Sequence, residues 1–122
     1  MGKNIFVVDD SETERFFISE LTKKIEDVSC DDAASFSEAM VKLAERKYDL
    51  IIVDAYMAEG SGAELWNNVL EQNPGGNAES HAIIMGLESD FEEGYLKQNG
   101  FVNFLEKPIE FNMLKAAISL YA

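Results

Sequence analysis

Short apolar runs alternate with amphipathic stretches along this chain. Ile5-Phe6-Val7-Val8, Leu50-Ile51-Ile52-Val53 and Ala82-Ile83-Ile84-Met85 are continuously apolar. That is the pattern of strands covered on both faces. Phe101–Leu105 predicts a shorter strand and Val28–Cys30 one more. Between them lie helical patterns. Ser11 with Glu14 has capping-box spacing, and the helix it opens is expected to run through Phe17, Leu21 and Ile25. Ser35 with Glu38 repeats the signal ahead of Phe36, Ala39, Met40, Leu43 and Ala44, one apolar face at helical spacing. Leu65, Trp66, Val69 and Leu70 form a third stripe. Ser89 with Glu92 predicts a weaker helix near Tyr95 and Leu96, and Phe111, Leu114, Ile118 and Tyr121 line the last. Strand–helix alternation implies right-handed crossovers and a parallel sheet between two helical layers, an α/β three-layer sandwich. The stretch Asn73–Ser80 reads as a surface loop from its Pro, Gly and Asn content.

Length and charge narrow the classes. The 122 residues suit one domain over 1–122, and no repeat or linker divides them. An apolar content of 47% is too high for a disordered acidic tail. The 23 acidic residues against 10 basic ones give a net charge of −13. That argues against nucleic acid, whose phosphates need clustered Lys and Arg, and against anionic membrane. Cys30 stands alone, so neither an internal disulfide nor a cysteine-rich metal site is expected. No apolar run is long enough to span a bilayer and the first residues lack a signal-peptide pattern, so a cytoplasmic location is expected.

In an open parallel sheet, ligands sit beyond the C-terminal ends of the strands. The first strand ends in Asp9-Asp10, the next long apolar run in Asp54, and the last strand is followed by Lys107-Pro108. Three carboxylates and a lysine are thus expected on one edge. Packed acids repel one another, and a hard divalent cation resolves the conflict. Lys107 adds a point charge suited to a phosphate oxygen.

The segments IFVVDD at 5–10, DLIIVDAYMAEGSG at 49–62, AIIMG at 82–86 and FVNFLEKP at 101–108 resemble the response-regulator receiver domain, of the single-domain chemotaxis type. The resemblance covers essentially the whole chain. It implies a doubly wound, flavodoxin-like (βα)5 fold with strand order 2-1-3-4-5. It implies that Asp54 is the phosphoacceptor for a histidine kinase or histidine phosphotransfer protein, with Lys107 on a phosphoryl oxygen. It assigns Mg²⁺ (or Mn²⁺) to Asp9, Asp10, Asp54 and the backbone carbonyl of Tyr56. Output would pass to a downstream protein target. Such a domain phosphorylates itself and is not an enzyme with a dedicated metabolite. Met57 and Gly62 match the family, whereas Ala58 stands where proline is usual. Oligomeric state is not assigned.

The pattern breaks at one place. The family carries Thr or Ser at the end of the fourth strand, where this chain has Gly86, followed by Leu87. Ser89 would supply a hydroxyl only if the strand were shifted by three residues. Glycine leaves space there, into which Phe104, the aromatic switch position, would rest permanently inward; Phe104 as ordinary core is the other reading. Tyr56, Leu87 and Glu88 match positions that tune dephosphorylation, and a ring at 56 would slow attack by water. His81, the only histidine, falls before a strand and away from the acids. Cys30 is expected in the second strand, and Trp66 in the core. Glu88, Asp90, Glu92, Glu93, Glu106 and Glu110 form either a solvated acidic face or a surface for a basic partner. The alternative function is a pseudo-receiver, a phosphorylation-independent interaction module on the same fold. Flavodoxin and haloacid-dehalogenase phosphatase readings fit poorly. DDSETE is too acidic to cradle phosphate, and Asp9-Asp10 is followed by Ser11 rather than completing Asp-x-Asp.

Overall fold

Alternate residues of the first strand feed two different cores. Phe6 and Val8 join Leu43, Ile51, Val53, Trp66 and Ile84 on one face of the sheet. Ile5 and Val7 join Ile18, Ile52, Ile83, Leu114 and Ile118 on the other. Both faces are therefore buried, which is why the strands lack a polar alternation. The computed structural model describes residues 2–122. The elements run β1 (Lys3–Val8), α1 (Glu12–Thr22), β2 (Val28–Ala33), α2 (Phe36–Glu45), β3 (Leu50–Asp54), β4 (Tyr56–Met57), β5 (Gly60–Ser61), α3 (Gly62–Gln72), β6 (His81–Gly86), α4 (Tyr95–Asn99), β7 (Asn103–Glu106) and α5 (Phe111–Tyr121). The main sheet has the order β2-β1-β3-β6-β7, all parallel. With the two-residue antiparallel ladder β4–β5 set aside, this is the expected 2-1-3-4-5 order of a flavodoxin-like α/β sandwich.

Serine hydroxyls start three helices. Ser11 accepts from the Glu14 backbone N–H at 3.2 Å, Ser35 from Glu38 at 3.1 Å and Ser61 from Glu64 at 3.2 Å. Each satisfies one of the N–H groups that a helix start leaves free. The first box is only half formed, because the Glu14 carboxylate turns elsewhere and the Ser11 N–H goes to Asp9 Oδ1.

Four expectations are corrected. α1 stops at Thr22, whose hydroxyl donates to the Ser19 carbonyl, so Ile25 lies in the following turn. Phe17 faces outward; Ile18 and Leu21 carry the buried stripe instead. No helix starts at Ser89. Asp90 accepts from the Leu87 N–H and closes a 3₁₀ turn over Glu88–Asp90, and Gly94 at φ 84° delays α4 to Tyr95. Asn73–Ser80 is not a loose loop. Buried Asn77 donates to the carbonyls of Leu43, Arg46 and Pro74 and accepts from the Tyr48 N–H, tying the turn to α2 and β3's approach. A side chain able to do both is what lets backbone run there without water.

Candidate functional site

Three chain segments deliver charged groups to the C-terminal edge of the sheet. Asp9 follows β1 directly, its N–H held by the Ala33 carbonyl at 3.1 Å. Asp54 closes β3, opposite Met85 of β6. Lys107 follows β7, its N–H on the Gly86 carbonyl at 2.8 Å. Lys107 Nζ lies 2.7 Å from Asp54 Oδ1, 3.0 Å from Glu14 Oε2 and 4.0 Å from Asp9 Oδ2. One oxygen each of Asp9, Glu14 and Asp54 fall within 4.8 Å of one another.

The electrostatics follow from this crowding. Asp9 is fully buried, and its Oδ2 has no hydrogen-bond partner. Burial first, then the neighbouring Glu14, push its carboxyl up to about 8. Glu14 is lowered, first by its contact with Asp9 and then, against burial, by Lys107. Burial raises Asp54 against the opposing pull of Lys107. Burial alone would lower Lys107; its hydrogen bonds to Asp54 and Glu14 outweigh that and hold it above the ordinary lysine value. These donors are all hard oxygens, the set that Mg²⁺, Mn²⁺ or Ca²⁺ takes.

Asp10 behaves differently from its neighbour. It is exposed, and its Oδ2 accepts from the Ala58 N–H at 2.8 Å. Its charge still raises Asp54. Tyr56 opens the β4–β5 ladder opposite Ser61, and its side chain is 65% exposed. Gly62 begins α3 beneath the acceptor strand. A Cβ there would collide with the Asp54 carbonyl and come within 2.7 Å of Val53 Cγ1, so this position admits only glycine.

Gly86 ends β6, with Glu106 as its partner, so the three-residue shift that would bring in Ser89 does not occur. The expected space above Gly86 is filled. A Cβ built there would lie 2.9 Å from Phe91 Cζ, 2.9 Å from Asp90 Oδ2 and 3.2 Å from Ala55 Cβ. Phe91 packs on both Phe104 (5.2 Å between ring centroids) and Tyr95 (5.3 Å). Phe104 itself is half-buried. Leu87 and Glu88 are exposed.

Other residues fall where their patterns place them. His81 opens β6 at the opposite edge and contacts the Tyr121 carbonyl at 2.9 Å. Cys30 is half-buried in β2, its thiol pushed up to about 12 by burial and the adjacent Asp32 and Asp31. Buried Trp66 donates to the Gly100 carbonyl, ahead of β7 and away from the acids. Two contributors escape the sequence pattern. Glu14 reads there only as a capping partner, although a first-turn acid after Ser11 must stand at the same sheet edge as Asp9. Arg15 donates to the Asp9 carbonyl at 2.7 Å and pairs with Asp32 at 3.3 Å, fixing the chain between β1 and α1. Among the described residues no helix is long and apolar enough to cross a membrane.

Known proteins share this fold. Residues 5–119 match the response regulator receiver domain. The transcriptional regulatory protein MalR of Bacillus subtilis is 35% identical over 89 residues, covering 73% of this chain and 37% of MalR. The chemotaxis protein CheY4 of Vibrio cholerae superimposes with a TM-score of 0.88 at 22% identity over the whole of both chains. TrrA of Thermotoga maritima, solved in complex with Mg²⁺-BeF, gives 0.80 at 25% identity over 97% of each. The chain belongs to the response regulator receiver family, the receiving module of two-component signalling. It spans well under half the length of the curated relatives it matches.

Proposed function

We propose that residues 1–122 form one receiver domain that accepts a phosphoryl group on Asp54 from a phosphohistidine of a histidine kinase or histidine phosphotransfer protein. An Asp54 carboxylate oxygen forms a bond to phosphorus as the phosphorus–nitrogen bond to the donor imidazole breaks. The products are an acyl phosphate and an imidazole that takes up a proton. The observation that carries this reading is the buried Asp54 carboxylate held 2.7 Å from Lys107 beside the unpartnered Asp9 oxygen. Phosphoryl transfer needs positioning and charge neutralisation more than covalent assistance. Lys107 fixes one Asp54 oxygen and stands ready for a phosphoryl oxygen. Asp9, Asp10 and Asp54, with the Tyr56 carbonyl, would hold Mg²⁺, which would supply charge neutralisation at the phosphoryl oxygens; that TrrA was solved with Mg²⁺-BeF supports a cation in such a domain.

Partner access fits the same edge. Exposed Phe17 on α1 lines a pocket of about 250 Å³ whose wall includes Glu14, Met85, Lys107 and Pro108. A donor protein seated there reaches the acid site. The domain turns over no metabolite, and its output is a change in affinity for a downstream protein. The pseudo-receiver reading rests on Gly86 and the Phe91 ring above it. Against it stands the cost of burying Asp9 beside Glu14 and Asp54 for no purpose.

The test is intact-protein mass spectrometry after incubation with acetyl phosphate and Mg²⁺, with EDTA and Asp54→Asn as controls. One added phosphoryl group, lost in both controls, is expected. No adduct, together with no Mg²⁺-dependent binding of beryllofluoride, overturns this reading in favour of the pseudo-receiver.

A further inference from the structure

We infer that Glu14 sets which phosphoryl donors this site accepts: its carboxylate, braced against Lys107, slows small anionic donors. This rests on the reading of Asp54 as phosphoacceptor. Two observations on Glu14 carry it. Its Oε2 lies 3.0 Å from Lys107 Nζ, on the same ammonium that Asp54 Oδ1 holds at 2.7 Å. An ammonium has three N–H donors, so these two carboxylates leave one for a phosphoryl oxygen. Glu14 also stands on the approach. Its side chain is 42% exposed and, with Phe17, Met85, Lys107 and Pro108, walls the pocket of about 250 Å³ beside α1. Asp54 is buried, with an oxygen within 4.8 Å of one from Glu14. A donor that reaches Asp54 therefore comes within a few ångströms of the Glu14 charge.

The consequence is electrostatic. Glu14 adds a carboxylate to Asp9, Asp10 and Asp54 around a single lysine, and removing it makes the site less negative by one charge whatever else is bound. Its field is felt at the reacting group: burial is the main cause that raises the Asp54 carboxyl, and the Glu14 charge adds to it. Near a protein surface, a unit charge this close changes the approach of an anion several-fold, and that of a dianion more than that of a monoanion. Glutamine at 14 keeps an amide oxygen able to accept from Lys107 and loses only the charge. The Ser11 hydroxyl caps α1 through the Glu14 backbone N–H, so the cap survives the substitution.

The test compares initial rates of adduct formation in Mg²⁺, by intact-protein mass spectrometry, for the unaltered protein, Glu14→Gln and Glu12→Gln. Glu12 is exposed in the same first turn of α1 and is not among the partners of Lys107, so its variant removes an equal charge without the contact. The donors are acetyl phosphate, a dianion at neutral pH, and phosphoramidate, a monoanion. With either, an Asp54 oxygen bonds phosphorus as the bond to the leaving group breaks, releasing acetate or ammonia. Glu14→Gln should react about three- to tenfold faster with acetyl phosphate and gain less with phosphoramidate. The gain should shrink between about 0.01 M and about 1 M salt, as the Debye length falls from about 30 Å to about 3 Å. Glu12→Gln should stay within about twofold of the unaltered protein. A Glu14→Gln rate that is unchanged or lower overturns the inference. An equal gain with both donors does so too, because it marks a structural effect. So does an equal gain in Glu12→Gln, which would place the effect in the general surface field. Labelling of neither the unaltered protein nor Glu14→Gln by either donor refutes the phosphoacceptor reading itself.

Discussion

The ring of Phe91 occupies the place that a side chain on residue 86 would take: Cζ stands 2.9 Å from where the Cβ would be, over a buried Gly86. Asp90 Oδ2 approaches to the same distance. Phe91 also joins Phe104 and Tyr95, so the missing hydroxyl position has become part of an aromatic cluster. Gly86→Thr should therefore lower stability by about 1–3 kcal/mol, the usual cost of overpacking. In Phe91→Ala the same substitution should cost less, because one of its two nearest obstacles is gone and the other, Asp90 Oδ2, is the end of a side chain. Urea unfolding of the four proteins in this cycle measures the coupling; additive effects would mean that Phe91 moves aside freely.

Asp9 ties stability to pH. Its carboxyl is raised to about 8, against 3.8 in an ordinary environment. Between those values the folded protein holds a proton that the unfolded chain has released. Stability from this group is thus fully present below about pH 4 and is lost as pH rises to about 8. Asp9→Asn keeps the oxygen that accepts from the Ser11 N–H at 2.8 Å and removes the titration. In EDTA, the variant's melting temperature should gain on the unaltered protein between pH 5 and pH 8. An equal difference at both pH values contradicts the account.

Gly62 permits α3 to start against the acceptor strand. Gly62→Ala forces a methyl onto the Asp54 carbonyl, which is backbone and cannot swing away. The expected loss is about 3 kcal/mol or more, in the range that marks a specific steric failure. A shift of less than about 1 kcal/mol in chemical unfolding would show that the helix simply slides outward.

Tyr56 is exposed at the mouth of the site and borders an acidic groove with Asp90, Glu92, Glu93 and Tyr95. Replacing it with Asn should leave stability within about 0.5 kcal/mol, as for most exposed positions. The acyl phosphate on Asp54 should decay several-fold faster, since the ring no longer screens it from water. Unchanged decay, followed by mass spectrometry after removing the donor, would leave Tyr56 without a kinetic role.

Much of the fold is legible in the chain because its strands are buried on both faces. Continuous runs such as Leu50–Val53 and Ala82–Met85 suit doubly covered strands, and their order with intervening helices leaves few topologies. Asp9, Asp54 and Lys107 are legible as strand-end residues, and the structure brings them together. Glu14 is hidden because a capping glutamate and a site carboxylate share the same spacing after serine; only the direction of the side chain separates them. Asp10 is legible as an edge residue, but its contact is not. Its oxygen answers a backbone N–H at Ala58 that the local pattern does not reveal. Phe91 is out of reach too, since nothing local relates it to Gly86 until Asp90 turns the chain back. Asn77 has the look of loop composition, yet it satisfies three carbonyls from inside.

The central claim is that Asp54, and no other carboxylate of the cluster, takes the phosphoryl group. The protein is treated with acetyl phosphate and Mg²⁺, then with borohydride, which reduces an acyl phosphate to an alcohol, and peptides are sequenced by tandem mass spectrometry. The account predicts homoserine at position 54 alone, absent when EDTA replaces Mg²⁺. Reduction at Asp9, Asp10 or Glu14, or at no carboxylate, would contradict it.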